Sequence, residues 1–181
     1  LRWRASVHEA GHALAYMLTG IAEVKAASVG LHGLGMVATV ANSRRPQNET
    51  WLMNTMAALL AGRTAEVLVI GETLAGAGGA DESDLARATE MALAAETRLG
   101  FSRHQPLVYR SPGITMSDLA LDRELADRVN TRLLTAEAIA RKLLEEHRDL
   151  HHEIATRLSV TGVVSGDELR EMIDNPAARP S

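Results

Sequence analysis

Residues 2–19 constrain the fold before any other segment does. Val7, Ala10, Leu14, Met17 and Leu18 recur at helical spacing and form one apolar stripe, and Thr19-Gly20 supplies a stop. Such a stripe is stable only when another element covers it. Few aromatic side chains are available for the covering: one Phe, two Trp and two Tyr in 181 residues. Leu, Val, Met and Ala must therefore fill the core, a mixture that suits closely packed helices. With 46% hydrophobic residues the chain can bury one sizeable core, so the expectation is a single, mainly α domain over 1–181.

One region departs from the helical rhythm. Residues 23–30 (EVKAASVG) and 34–41 (LGMVATVA) are short, β-branched and separated by LHG, which predicts a hairpin or small β-sheet over about 23–41. A long helix rich in Leu, Met and Ala follows over 49–70 and ends at Gly71, before the glycine-rich loop AGAGGA at 75–80. Residues 82–99 read as helix, Gly100 to about Asp118 as irregular surface, 120–160 as two antiparallel helices and 166–173 as a short terminal helix. Within the domain this gives a site-bearing region, 1–115, then C-terminal helices, 116–175, and a loose tail, 176–181.

Charge and cysteine content limit the partners. A net charge of −4 and a pI near 6 supply no basic field for nucleic acid or an anionic membrane. With no cysteine there is neither a disulfide nor a thiolate ligand, which fits a reducing compartment and leaves any metal to His, Asp or Glu. No stretch reads as the ~20 apolar residues of a membrane span, and Leu1 opens no signal-peptide pattern. The chain is therefore expected to be soluble, without direct membrane contact. Its immediate entry into a helical pattern without an initial Met reads as a piece of a longer protein.

Within the first helix lies His8-Glu9-Ala10-Gly11-His12. Residues i and i+4 of a helix share a face, so both imidazoles can reach one point roughly 2.0–2.1 Å away, as zinc requires. Glu9 sits about 100° further round, where it can take a proton from water as a general base. The competing reading is a solvated histidine pair; the Val7/Leu14/Leu18 stripe points to nearly the opposite side, so these histidines are not expected in the core. His147 and His151 repeat the spacing, but Arg148 follows the first, and this pair is expected on a solvated face. The letters HRDL there do not make a kinase loop, because Ile154 stands where Asn is needed.

A catalytic zinc takes a third protein ligand. The position six residues after His12 is Leu18, which excludes the metzincin arrangement. Two carboxylates lie on apolar helix faces: Asp84, with Ala88, Met91 and Ala95, and Glu66, with Leu52, Met56, Leu59 and Ile70. Both need compensation when buried. Arg63, one turn back, is expected to pair with Glu66, while the free N–H groups of a helix start, with Arg87 nearby, could satisfy Asp84; physical grounds alone put Asp84 only modestly ahead as the ligand.

Four segments together carry a resemblance: VHEAGHAL, LLAGRTAEVL at 59–68, AGGADESDLARATEMA at 77–92 and RLGFS at 98–102. In order and separation they resemble the peptidase domain of the FtsH family of ATP-dependent zinc metalloproteases, and with the helical pattern of 120–173 the likeness covers nearly the whole chain. The resemblance implies Zn2+ on His8, His12 and Asp84, Glu9 as general base, and Glu66 near the site as the runner-up ligand. It further implies cleavage of unfolded or membrane-protein substrates, a homohexamer, an upstream AAA+ ATPase module, and a parent anchored in a bacterial inner membrane with this domain on the cytoplasmic side. The hairpin departs from the family, reading GLHGLGMVATV in place of a P-R-G turn followed by G-Y-T, so its substrate edge is expected to differ. That departure keeps a second reading open, a degenerate domain serving as an oligomerisation scaffold, beside a third, a different metal hydrolase. Only Lys25 and Lys142 are present and neither follows a glycine, so the chain carries no phosphate-loop lysine. No residue is identifiable for the developing oxyanion; zinc itself, His32 or His104 are the options.

Overall fold

In the computed structural model, which describes residues 1–112 and 119–174, the first helix α1 spans Arg2–Thr19. Gly20 ends it in the left-handed region, φ 61°, its N–H donating to the Tyr16 carbonyl. Strands β1 (Ala22–Val29) and β2 (Gly35–Ala41) then pair antiparallel, Ala22 opposite Ala41 and Val29 opposite Gly35, with a register irregularity between Val24 and Ala26. A third strand, β3 (Val163–Ser165), pairs with β1 on its other side. The order β2-β1-β3 leaves β2 as an edge. β3 was not expected from the sequence, because three residues are too few to show a period and only the tertiary fold supplies their partner.

Further α-helices among the described residues are α2 (Glu49–Ile70), α3 (Asp84–Thr97), α4 (Arg123–Glu146), α5 (Arg148–Thr161) and α6 (Gly166–Asp174), with a short 3-10 turn at Ala75–Ala77. Local signals set several ends: the side chains of Asn48, Ser83 and Asp122 accept from the N–H groups of Trp51, Ala86 and Leu125. Mainly helical architecture with one small sheet is thus as expected. Residues 113–118 of the irregular stretch and the tail at 176–181 lie outside the described residues.

Two apolar cores share α1. One joins Ala15 to Leu52, Met56 and Leu59 of α2, Ala92 of α3 and Leu125 of α4. The other joins Val7, Ala10 and Leu14 to Val24 and Ala27 of β1, Ile154 and Leu158 of α5, and Leu169 of α6. α2 is long and apolar enough by length and composition to cross a membrane, a test the sequence reading had it fail. Its buried run from Met56 to Gly62 packs against α1 and α4, as befits the central helix of a core.

Small residues permit close approach. A Cβ built on Gly11 would stand 2.6 Å from the Ala61 carbonyl oxygen and 2.9 Å from the Ala65 Cβ. Alanine is the better helix former by about 1 kcal/mol, yet crowding a backbone in a packed core costs about 1–3 kcal/mol. Gly11→Ala should therefore be destabilising overall, read as a lowered urea midpoint; an unchanged or raised midpoint would show that α1 and α2 separate freely.

Candidate metal centre

α1 and α2 together fix how the two imidazoles point. His12 Nδ1 donates to the Ala58 carbonyl of α2 at 2.8 Å, and that acceptor leaves the Nε2 lone pair facing the other way. His8 Nδ1 donates to Glu66 Oε1, also at 2.8 Å. The two Nε2 atoms consequently lie 2.9 Å apart. Asp84, the first residue of α3, brings its Oδ2 to 3.1 Å from His12 Nε2 and 3.4 Å from His8 Nε2. Its helix start is capped by Ser83, which frees the Asp84 carboxylate to face the histidines.

Three electron-pair donors this close repel unless positive charge lies among them. For bonds of roughly 2.0–2.1 Å, a tetrahedral zinc separates its ligands by roughly 3.3 Å, so the observed triangle suits a cation of that size and the all-N/O donor set suits zinc. His8, His12 and Asp84 are the one such group among the described residues. The surrounding α2 backbone is shaped to leave them room: a Cβ on Gly62 would stand 2.5 Å from His12 Nε2 and 2.6 Å from His8 Nε2.

Electrostatics favour positive charge here. Burial works to lower the His8 pKa, but Asp84, Glu9 and Glu66 outweigh it and raise it above the ordinary histidine value. Burial also opposes ionisation of Asp84, yet its bonds to His12 and His8 hold it well below the usual carboxylate range. Glu9 is 8% exposed, and burial pushes its carboxyl up against the pull of His12 and His8. Its side chain lies along β2, at Gly35.

Several residues sit differently from expectation. Glu66, 2% exposed, does not pair with Arg63; both its oxygens are engaged, Oε1 by His8 and Oε2 by the Leu74 N–H at 2.8 Å, while Arg63 turns to Glu137 of α4. It therefore supports His8 and stands outside the triangle. His12 is buried, 6% exposed, because α2 covers the face opposite the Val7/Leu14 stripe. His151 is not solvated either: at 3% exposed it donates from Nε2 to the Val7 carbonyl at 2.9 Å, on the side of α5 that carries Ile154 and Leu158. His32 is exposed in the β1–β2 turn, and exposed His104 shares a groove with Glu49 and Arg128, outside the triangle. The parts that sequence reasoning missed are the Ala58 carbonyl, the Leu74 N–H and the roles of Gly62 and Gly35. Only Gly62 left a signal, as a glycine inside a helical pattern that asks for a packing reason.

The model of peptidase family M41 matches residues 2–172. ATP-dependent zinc metalloprotease FtsH 2 of Sorangium cellulosum is 32% identical, covering 92% of this chain and 30% of that protein. FtsH 1 of Symbiobacterium thermophilum is 32% identical over 99% of the chain and 30% of its own length, and FtsH of Methylococcus capsulatus 33% over 97% and 30%. The chain spans about 30% of the length of these relatives.

Removing the charge that orients His8 gives a test of the centre. Groups that hold a metal ligand in place are typically worth 10- to 100-fold in affinity. Glu66→Gln should weaken zinc binding by about that factor, read by competition with a chromophoric chelator, and unaltered affinity would detach Glu66 from the centre.

Proposed function

The chain belongs to peptidase family M41, and on that premise we propose that it is a zinc-dependent endopeptidase module acting on unfolded polypeptides. One observation carries the reading: three donor atoms from α1 and α3 converge within 3.4 Å, with a buried carboxylate next to the first ligand in sequence. His8, His12 and Asp84 would hold zinc, which when bound supplies Lewis acidity for the scissile carbonyl and lowers the pKa of water.

The chain's own groups divide the remaining work. Glu9 accepts a proton from the attacking water on a carboxylate oxygen and delivers it to the leaving amine nitrogen. Its raised pKa suits a group that must hold that proton between the two transfers. Glu66 and the Ala58 carbonyl keep the imidazoles in one tautomer and one orientation. β2 is an exposed edge beside Glu9, so an extended substrate can add main-chain hydrogen bonds to it, a mode that tolerates varied side chains.

The wider setting is part of the same proposal. The relatives' names describe ATP-dependent enzymes and each is over three times the length of the matched segment. We place ATP use in a separate AAA+ module of the parent protein, since neither lysine here follows a glycine. Membrane-protein substrates, a homohexameric ring and a parent anchored in a bacterial inner membrane, this module on the cytoplasmic face, complete that picture.

General acid–base groups typically contribute 10²- to 10⁴-fold to rate. Glu9→Gln should therefore lose cleavage of an unfolded polypeptide by about that factor while retaining one zinc per chain, measured by peptide release and metal analysis. Unchanged cleavage would overturn the proposed base, and absence of zinc from the unmutated protein would favour a non-hydrolytic scaffold.

A further inference from the structure

Gly35 opens β2 directly against the proposed base. A Cβ built there would lie 2.4 Å from Glu9 Cγ, 2.7 Å from Cδ and 2.5 Å from Oε1. Backbone conformation does not explain the glycine. Gly35 is not among the positive-φ residues and pairs regularly with Val29 of β1, so any L-residue could adopt its main-chain geometry. Space is the constraint. Gly30, across the same turn, makes the contrast: its Cβ would meet nothing nearer than the Leu34 oxygen at 3.5 Å, an ordinary contact.

The crowded atoms all belong to one flexible side chain. Added bulk at 35 therefore moves Glu9 rather than the fold. Among the described residues no hydrogen bond or ion pair holds that carboxylate, whereas both imidazoles are tied to α2. The backbone of β2 at Gly35 lies directly against it.

We infer that Gly35 is a positioning residue, whose missing side chain lets the edge strand serve as the wall that sets where Glu9 stands. This rests on the zinc-endopeptidase reading. Because β2 is also the strand offered to substrate, one backbone fixes the distance between the base and the peptide to be cut. The ligand triangle is held from α2 and α3 and does not depend on it. A side chain at 35 thus separates two properties that usually fail together, metal binding and turnover.

Four forms of the full chain test this: Gly35→Ala, Gly30→Ala, Glu9→Ala and the Glu9→Ala/Gly35→Ala pair. Restoring an ordinary 3.4 Å contact from 2.4 Å requires Glu9 to move by about 1 Å, and a displacement of that size can cost about 10²-fold in rate. Gly35→Ala should bind one zinc per chain, keep its melting midpoint and KM on a fluorogenic unstructured polypeptide, and lose about 10²-fold in kcat. Its crystal structure should show the Glu9 carboxylate displaced with His8, His12 and Asp84 in place. Gly30→Ala should behave as the unmutated chain, and Gly35→Ala should lower the residual rate of Glu9→Ala no further. If Gly35→Ala instead lowers the melting midpoint, Glu9→Ala in the same chain should restore it, since the crowded atoms are then gone. An unaltered kcat, a loss confined to KM, an equal loss in the Glu9→Ala background, or instability that Glu9→Ala leaves uncorrected would each overturn the inference. If the unmutated chain and Glu9→Ala cleave alike, the zinc-endopeptidase reading fails instead.

Discussion

The near-contact of α1 with α2 is the constraint on which the rest depends. Gly11 lies against the Ala61 carbonyl and Gly62 lies against both Nε2 atoms, so neither helix could carry a larger residue at those points and keep its place. Only at that separation can His12 Nδ1 reach the Ala58 carbonyl and His8 Nδ1 reach Glu66. Helix packing therefore determines imidazole tautomer, and tautomer determines where the lone pairs point. The other side of α1 is gripped too. Val7 and Leu14 pack on α5, and His151 of α5 donates to the Val7 carbonyl, one residue before His8.

Outer contacts extend this control to the third donor. Leu74, in the connection between α2 and α3, donates its N–H to the same Glu66 that holds His8, so the path leading to Asp84 is tethered at the centre itself. At the far end of α3, Arg132 bonds Glu96, Glu49 and the Phe101 carbonyl, joining α4 to α3, to the start of α2 and to the segment after α3. α3 is thus pinned at both ends while its first residue reaches into the site. A side-chain hub of this kind is costly to leave half satisfied, which favours one arrangement of the helices over alternatives.

How much of this could be read from the sequence depends on whether a feature is local. The extent of α1 and α2, the hairpin and the histidine pair were legible because spacing, caps and glycine stops lie within a few residues of one another. Physical grounds put Asp84 only modestly ahead and resemblance added the rest, since its N-terminal helix position offers a competing local explanation, a capping task that Ser83 in fact performs. The Glu66–Arg63 pairing was wrongly expected because sequence proximity suggests partners, while α1 and α4 draw the two side chains apart. His151 was misjudged from its charged neighbours in sequence; its helix face, with Ile154 and Leu158 following, was the better guide. The Ala58 carbonyl, the Leu74 N–H and β3 have no signature at all, because each acquires its role only when a distant segment arrives.

Three carboxylates surround the two imidazoles, and their environments pull them apart. Asp84 lies 3.1 Å from His12 Nε2 and 3.4 Å from His8 Nε2 and is held well below the usual carboxylate range. Glu66 spends both oxygens on His8 and Leu74, which suits a fixed orienting group. Glu9 is pushed upward by burial against the pull of His12 and His8, and no hydrogen bond holds it among the described residues. The same functional group thus meets three surroundings: two imidazole Nε2 atoms for Asp84, an imidazole N–H and an amide N–H for Glu66, and the β2 backbone at Gly35 for Glu9. A carboxylate standing directly against a strand is sensitive to small additions there, so the position of Glu9 is coupled to the β2 backbone at Gly35.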